Sequence, residues 1–234
     1  MDAKDADLKD LMDNLDANCR YIKCASTTSA IAEVVAKLES PMTEENAIDA
    51  KLVAEALEDV DKFGALVDCY EEKLLRYILR ISSFSHAEAE EILQEVFLSV
   101  WTNLRDYNSS MPFKSWIYRV AHNTTISAFR KHKSRGFDVQ IELDESLYEL
   151  PSKDFNIVDE YDRKEKSVLV RQVLESLPLK YREVLVLRYF DGHDYESISD
   201  ILKKPTGTVA TLLSRAKKNF RTNWIKFTNP PSAS

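Results

Sequence analysis

The chain has 234 residues, 44% of them hydrophobic and 30% charged, with a formal net charge of -7. This length accommodates one large domain or two small ones. Only four glycines occur, while Ala, Leu, Glu and Lys are plentiful, which favours an all-α protein. Because no apolar run approaches the roughly 20 residues that span a bilayer and no secretory leader pattern is visible, we expect a cytoplasmic protein without membrane insertion.

The first half of the chain predicts an acidic extension followed by a helical domain. Residues 1–48 are acidic and contain two weakly amphipathic pieces. Residues 49–136 form the first predicted domain, because apolar residues recur there at helical spacing between short loops. The predicted helices of this domain cover residues 52–57, 63–79, 87–104 and 113–133.

The second half predicts a linker, a second helical domain and a short tail. Residues 137–163 contain many acids and Pro151 without a sustained helical period, which is typical of a flexible linker. Residues 164–227 form the second predicted domain, and residues 228–234 form a frayed tail. The predicted helices of the second domain cover residues 164–177, 180–189, 195–202 and 206–227.

Charge is unevenly distributed, and the net value conceals two basic segments. The chain from Lys203 to its end carries seven Lys or Arg and no carboxylate, and residues 112–136 carry six and none. Acids dominate elsewhere, with fifteen against seven bases before Phe63 and ten against three in residues 137–165. Because phosphate binding requires local positive charge rather than a positive total, the two basic segments are candidate nucleic-acid surfaces.

The helix predicted at residues 87–104 has an apolar face and an unusual polar face. Its apolar stripe, which we assign to the core, consists of Ile92, Leu93, Val96, Phe97, Val100, Trp101 and Leu104. Leu98 lies on the opposite face, surrounded by Glu91, Gln94, Glu95 and Thr102. An exposed aliphatic residue among acceptors suits a protein-binding ridge. A single exposed leucine on an ordinary solvated face is the simpler alternative.

The helix predicted at residues 113–133 combines aromatic residues with cations. The residues predicted to face inward are Phe113, Ile117, Val120, Thr124 and Ala128. Those predicted on the outer surface are Tyr118, Arg119, His122, Asn123, Ile126, Phe129 and Arg130, with Trp116 at the edge. Unpaired bases stack on aromatic rings while cations hold the phosphates, so this face suits single-stranded DNA. Packing of the aromatics against another domain is the alternative.

Residues 194–218 carry the pattern of a helix-turn-helix. Asp194 is placed to cap the first helix and Pro205 to end it, and the apolar face between them comprises Ile198, Ile201 and Leu202. On the second helix the predicted inward residues are Val209, Leu213, Ala216 and Phe220, and the outward residues are Thr211, Ser214, Arg215 and Lys218. Such an outward face fits a DNA major groove.

Taken together, these segments resemble the sigma-70 family of bacterial RNA polymerase sigma factors, specifically its extracytoplasmic-function (ECF) group. The segment Glu88–Trp101 is similar to region 2.2, and Phe113–Asn123 with Arg130 and Lys131 is similar to regions 2.3 and 2.4. The segment Leu177–Arg188 and the helix-turn-helix are similar to region 4. The resemblance implies a subunit that binds core RNA polymerase, recognises the -10 and -35 promoter elements and promotes DNA melting.

The resemblance also implies roles for particular residues. Core polymerase would be bound by Glu91, Gln94, Glu95 and Leu98. The opened -10 strand would be bound by Tyr107, Asn108, Lys114, Trp116, Tyr118, Arg119, Asn123, Arg130 and Lys131. Within that set, Tyr107 and Asn108 belong to a loop similar to the one that holds a flipped -10 base in this family. The -35 duplex would be bound by Lys204, Thr208, Thr211, Ser214, Arg215 and Lys218.

Two further expectations come from the same resemblance, and one comes from charge. An anti-sigma factor is a family partner, and the acidic linker would enter a basic polymerase channel as an RNA mimic. Residues 1–48 have no counterpart in minimal members of the group. Their acidity beside two basic segments suggests that they shield a DNA-binding domain, and a solvated tail is the alternative.

Two other classes of function compete with this interpretation. A helix-turn-helix regulator would bind duplex DNA as a dimer without polymerase and would not need the Leu98 ridge. A nucleic-acid enzyme is disfavoured, because the four histidines are scattered and neither a P-loop nor an H-E-x-x-H motif occurs. Cys19, Cys24 and Cys69 lack CxxC spacing, so free thiols are expected. We therefore predict no catalytic site, cofactor, metal or small-molecule substrate.

Overall fold

The computed structural model describes residues 46–82, 84–134 and 168–228, and within them every regular element is helical. The N-terminal module contains α1 (46–58), α2 (Phe63–Ile81), α3 (His86–Asn103) and α4 (Phe113–Ser134). The C-terminal module contains α5 (168–175), α6 (Leu179–Leu185), α7 (Tyr195–Leu202) and α8 (Thr206–Thr228). The predicted all-α fold with two helical domains is confirmed.

Several predictions fall outside the described residues. They concern the greater part of the N-terminal extension, the linker at 137–163, nearly all of the tail at 228–234, and the thiols of Cys19 and Cys24. The domain boundaries remain predictions as well. The one predicted at residue 49 falls inside α1, where the Tyr70 hydroxyl donates to the buried Asp49 carboxylate at 2.6 Å.

The N-terminal module is built on α2, α3 and α4. Ser85 and Glu88 form a capping box that fixes the start of α3, with the Ser85 backbone N–H donating to the Glu88 carboxylate at 2.8 Å. The apolar faces of the three helices then meet in one core. The largest contributors are Leu66, Tyr70, Leu74, Tyr77, Ile78, Ile92, Val96, Val100, Phe113 and Ile117.

The C-terminal module ends in the predicted helix-turn-helix. The Asp194 carboxylate accepts from the Ser197 N–H at 2.7 Å and caps α7, as predicted. Gly192 precedes it with φ of 71°, a left-handed conformation that glycine adopts without steric cost. The turn after α7 depends on Lys203, whose φ of 51° is also left-handed, so α7 ends before Pro205.

The two modules pack directly against each other. The residues that follow α6 form one turn of π-helix, Val186–Phe190. This turn and α7 lie against the N-terminal module, where α7 covers part of α4 and the π-turn approaches α2. The structure therefore shows a closed arrangement in which α4 is packed on both sides.

Candidate nucleic-acid interface

The outward face of α8 is open to solvent along its length. Thr208, Thr211, Ser214, Arg215 and Lys218 are all exposed. The opposite face is buried through Val209, Leu213, Ala216 and Phe220, which confirms the predicted orientation of the helix. Hydroxyls and two cations on one open helical face can donate to phosphates and to base edges in a major groove.

Lys204 differs from the other predicted -35 residues. Its side chain is half-buried, and its ammonium donates to the Glu183 carboxylate at 2.9 Å. Because Glu183 is itself buried, this pair neutralises a carboxylate that would otherwise lie uncompensated in the interior. Lys204 therefore stabilises the C-terminal module here, and a role in DNA binding remains a prediction.

The exposure of the residues on α4 differs from the prediction. Phe113 and Ile117 are buried as predicted, but Val120, Thr124 and Ala128 are only half-buried. In addition, Ala121 and Thr125 are fully buried. The buried face of α4 is therefore rotated by one residue from the predicted face. It is also wider than the buried face of a helix packed on one side, because α4 contacts the other helices of its own module and the C-terminal module.

Tyr118 and His122 were predicted on the outer surface, and that prediction is wrong. Tyr118 is 1% exposed because its ring packs edge-on against His193 of the C-terminal module, with centroids 4.5 Å apart. His122 is buried where its Nδ1 lies 3.0 Å from the Tyr77 hydroxyl and its Nε2 lies 3.8 Å from the Glu183 carboxylate. The alternative of aromatic packing against another domain is therefore correct for Tyr118.

The guanidinium of Arg119 joins three parts of the molecule. Its Nε donates to the Asp200 backbone carbonyl at 2.7 Å, at the end of α7, and one terminal nitrogen lies 3.9 Å from the Asp200 carboxylate. The same terminal nitrogen lies 3.1 Å from the sulfur of Met111, in the loop before α4. A residue predicted to bind the -10 strand is thus occupied by α7 in this closed arrangement.

A buried ion pair links α2 to the π-turn region. The Arg80 guanidinium lies 3.5 Å from the Asp191 carboxylate, with both side chains under 10% exposed, and 4.6 Å from the centre of the Phe190 ring. Burial raises the pKa of Asp191 to about 7, although the charge of Arg80 acts in the opposite direction. This pair spans the interface between the modules.

Burial also governs the two interface histidines. Burial, followed by the charges of Lys204 and Arg130, lowers the pKa of His122 to about 4. Burial and the charge of Lys114 lower the pKa of His193 to about 3. Both rings are therefore neutral at neutral pH in the closed arrangement.

A cleft of about 690 Å³ opens between α4 and the start of α6. The α4 wall includes Asn123 and Arg130, which are exposed as predicted, and the opposite wall includes Lys180. The predicted residue Lys131 is exposed beside them, whereas Lys114 is half-buried near the start of α4. Cations from both modules thus surround this part of the interface.

The loop before α4 is held by an aromatic cluster. The Tyr107 ring packs against Phe113 and Trp116 with centroids 5.4 and 5.3 Å away, and its hydroxyl donates to the Met111 carbonyl at 2.6 Å. Asn108 is exposed, and its side-chain oxygen accepts from the Ser110 N–H at 2.9 Å. Tyr107 therefore shapes the loop, while Asn108 stands at its surface.

The outer face of α3 has the predicted exposed ridge. Leu98 is 66% exposed, and Glu91, Gln94 and Glu95 are exposed with it. The predicted core stripe is mostly confirmed, but Trp101 is 40% exposed and contacts Phe63 edge-on at 5.0 Å. Trp101 lies at the end of α3, where fewer neighbours are available to cover a ring of its size.

Sequence reasoning missed the residues that join the modules, chiefly Arg80, Glu183, Asp191 and His193. One signal was available, because Arg80 lies between Leu79 and Ile81 in an otherwise apolar run. A cation at such a position is normally buried and paired. Its partner Asp191 is 111 positions away, and no local pattern connects the two.

Two negative findings apply to the residues that the structure describes. No group of three or more His, Cys, Asp or Glu in them is arranged to hold a metal ion. None of the helices in these ranges is long and apolar enough to cross a membrane.

Comparison with known proteins identifies the family. A model of sigma-70 region 2 matches residues 66–135, and a model of sigma-70 region 4 matches residues 167–220. The ECF RNA polymerase sigma factor SigW of Bacillus subtilis is 33% identical over 167 residues, which cover 70% of this chain and 89% of SigW. The chain belongs to the ECF group of the sigma-70 family.

Other similar sigma factors agree with this assignment. The RNA polymerase sigma-H factor of Pseudomonas aeruginosa is 31% identical over 170 residues, covering 68% of this chain and 84% of its own length. Among solved structures, RpoE in complex with the anti-sigma factor NepR from Bartonella quintana covers 72% of this chain and 98% of its own, with a TM-score of 0.54 and 18% identity. CnrH in complex with the cytosolic domain of CnrY covers 74% and 94%, with a TM-score of 0.53 and 18% identity. These two structures show the same fold.

The family assignment gives each module of this sigma factor a name. The N-terminal module corresponds to region 2 and the C-terminal module to region 4. Sigma factors are transcription initiation factors rather than enzymes. The surfaces described above are therefore candidate contacts with polymerase and promoter DNA.

Proposed function

We propose that this sigma factor binds core RNA polymerase through the ridge on α3, binds the opened -10 strand through α4 and its preceding loop, and binds the -35 duplex through the outward face of α8. The chain supplies promoter specificity and carries no catalytic site of its own. A protein that acts on polymerase and promoter works in the cytoplasm, and an anti-sigma factor is a further proposed partner.

The exposure of Leu98 is the single observation that supports polymerase binding most directly. An aliphatic side chain that is 66% exposed and surrounded by exposed Glu91, Gln94 and Glu95 has no role in the core of the N-terminal module. A partner that covers it gains apolar burial at the centre and polar contacts at the rim, which is the usual anatomy of a protein interface. A regulator that binds duplex DNA alone has no use for this ridge.

The structure provides a matched control for testing the ridge. Leu57 on α1 is also an exposed leucine, at 43%, and lies outside the proposed surface. We expect Leu98→Gln to weaken binding to core RNA polymerase by about 30-fold, the size of a typical interface hot spot. Leu57→Gln should change it less than twofold. Fluorescence anisotropy of the labelled chain titrated with core enzyme measures both affinities.

A transcription assay distinguishes the sigma factor from the regulator. The chain and core enzyme are incubated with a library of randomised promoters, and run-off products are counted. We expect initiation at selected promoters only when both proteins are present. Equal affinity of the two leucine variants for core enzyme, together with no initiation from any library member, would favour the helix-turn-helix regulator.

A further inference from the structure

The cleft between α4 and the start of α6 has the size and the lining of a small-molecule site. Its volume of about 690 Å³ lies within the range of about 300–1,000 Å³ that is typical of ligand pockets. Such pockets combine apolar walls with a few convergent polar groups. The cleft has both features, and its two walls belong to different modules.

The charged lining of the cleft is mainly cationic. Arg130 lies on the α4 wall, Lys180 lies on the α6 wall, and Lys204 comes from the turn that follows α7. Among the described residues that line the cleft, Glu183 is the only carboxylate, and the Lys204 ammonium donates to it at 2.9 Å. Three cations and one carboxylate leave a formal charge of +2. This charge favours an anionic ligand over a neutral or cationic one.

Two of the cations are accessible to a ligand. Arg130 and Lys180 are exposed, and neither is paired with a carboxylate within the described ranges. His122, which also lines the cleft, responds to the positive potential there. Burial, followed by the charges of Lys204 and Arg130, lowers the pKa of this histidine to about 4. The same charges that disfavour a proton on the ring attract an anion.

Apolar side chains make the cleft suitable for more than a bare anion. Ile126 on the α4 wall and Leu179 on the α6 wall are half-buried, so each keeps part of its surface free to contact a ligand. Asn123 and Ser127 are exposed one helical turn apart on α4 and add hydrogen-bonding groups to the same wall. An anion that carries an apolar ring therefore matches the lining better than an inorganic ion.

We propose that this cleft binds a small organic phosphate, specifically a nucleoside monophosphate. A phosphate monoester carries a charge of about -1.5 to -2 at neutral pH, which balances the formal charge of the lining. Arg130 and Lys180 hold the phosphate from the two walls, and the base lies against Ile126 and Leu179. The proposal concerns the free chain and does not rest on the proposed function.

Binding of this ligand is linked to the packing of the two modules. Its contacts come from both walls, so a chain with separated modules offers only part of them. A ligand that prefers one arrangement of a protein stabilises that arrangement by mass action. A nucleoside monophosphate therefore stabilises the packed arrangement, and its concentration acts directly on this sigma factor.

Calorimetric titration of the full chain tests the chemistry of the ligand. The probe is adenosine 5′-monophosphate, for which we expect a Kd on the order of 100 μM. The comparison ligands are adenosine, inorganic phosphate and the methyl ester of the same monophosphate, a phosphodiester with the single charge of a nucleic-acid backbone. Each lacks one feature that the cleft is proposed to recognise, so each should bind at least about tenfold more weakly.

Charge-reversal variants test the two walls. Lys180→Glu and Arg130→Glu should each weaken binding of adenosine 5′-monophosphate by about tenfold or more, because each turns a cation of the cleft into a carboxylate. Lys226→Glu and Arg221→Glu make the same two changes at exposed positions of α8 outside the cleft and should alter the affinity less than twofold. Circular dichroism confirms that each variant is folded.

Energy transfer across the modules tests the link to packing. Dyes at Glu71→Cys and Thr222→Cys, two exposed positions in different modules, report their separation once the three native cysteines are replaced by serine. Urea is then added with and without saturating adenosine 5′-monophosphate. The urea concentration at which energy transfer is lost should rise with the nucleotide in the otherwise unaltered chain and stay unchanged in Lys180→Glu.

Three results would overturn the proposal. Absence of binding, or equal affinity for inorganic phosphate or adenosine, would show that the cleft does not recognise both parts of a nucleotide. Equal affinity for the methyl ester would identify the cleft as a site for a nucleic-acid backbone rather than for a monophosphate. Loss of affinity in only one of Lys180→Glu and Arg130→Glu would place the binding site on a single module.

Discussion

The two helices proposed to contact promoter DNA, α4 and α8, present their faces differently. The five predicted residues on the outward face of α8 are exposed, whereas on α4 Tyr118 is buried and Arg119 is engaged by α7. The chemistry of the two faces explains the contrast. Hydroxyls and cations on α8 are well solvated alone, but the aromatic rings on α4 gain from being covered by any partner.

Under the proposed function, this contrast implies that the two faces become available to DNA by different routes. The α8 face needs no rearrangement of the chain to meet a duplex. Region 4 covers part of the α4 face, so the proposed -10 binding depends on opening and the proposed -35 binding does not. Three kinds of change should separate the -10 dependence from the -35 dependence. They act on region 4 as a whole, on the interface between the modules, and on the α7–α8 turn.

The largest expected effect comes from Arg182→Met, because it destabilises region 4, the module that contains α8 and covers α4. Arg182 is buried and donates to the carbonyls of Leu174, Glu175 and Leu177 at 2.9, 2.6 and 3.4 Å, where α5 ends. Losing these charge-assisted bonds should lower the free energy of unfolding of region 4 by about 3 kcal/mol. The total free energy of unfolding of a module of some 60 residues is only about 3–9 kcal/mol.

Hydrogen exchange measured along the full chain tests this prediction. Amides of α8 should lose protection in Arg182→Met while amides of α2 keep theirs, and single-strand binding should rise as duplex binding falls. Arg221→Met, at an exposed arginine of α8, is the control and should leave protection unchanged. Equal loss of protection in both modules would show that they unfold as one unit.

A pH change should act on the interface between the modules. In the closed state the pKa of His122 is about 4 and that of His193 about 3, and we expect both to rise toward the ordinary value of 6.5 once separation of the modules removes their burial. The open state therefore binds two more histidine protons, and closure weakens as pH falls below 6.5. Asp191 acts in the opposite direction. Its pKa is about 7 in the closed state and should fall toward the ordinary value of 3.8 on opening, so closure strengthens as the pH falls below 7.

Near pH 5 the net effect is about one proton taken up on opening. The free energy of closure should therefore change by roughly 1.4 kcal/mol per pH unit. Energy transfer across the modules should stay nearly constant around pH 7 and fall toward pH 5. In Asp191→Asn the opposing group is absent, so the fall should be about twice as steep. A profile that does not change with Asp191→Asn would contradict the assignment of these protons to the interface.

Sequence patterns predicted the helices and the face of α8 well, because both depend on local spacing. The periodicity of Val209, Leu213 and Ala216 places one stripe inside wherever the helix packs. The face of α4 could not be predicted in the same way. Its aromatic and basic residues suit a DNA strand and a second domain equally well, and the deciding contacts with Glu183, His193 and Asp200 come from distant parts of the chain.

The smallest expected effect concerns the turn between α7 and α8 and should leave α4 unchanged. Lys203 adopts φ of 51°, which a side chain with a Cβ occupies at a cost and glycine occupies freely. Lys203 is exposed, so Lys203→Gly should stabilise region 4 by about 0.5 kcal/mol. This figure allows for the greater conformational entropy that glycine gives the unfolded chain. Thermal unfolding followed by circular dichroism measures the gain.

Lys203→Ala is the matched control for this change, because it removes the same ammonium and keeps the Cβ. If backbone strain is the cause, only the glycine variant gains stability, and the alanine variant is neutral or slightly worse. A gain of equal size in both variants would attribute the effect to charge repulsion among the bases of the turn. In either case single-strand binding should stay at its wild-type value, because Lys203 is exposed and its replacement leaves the closed interface in place.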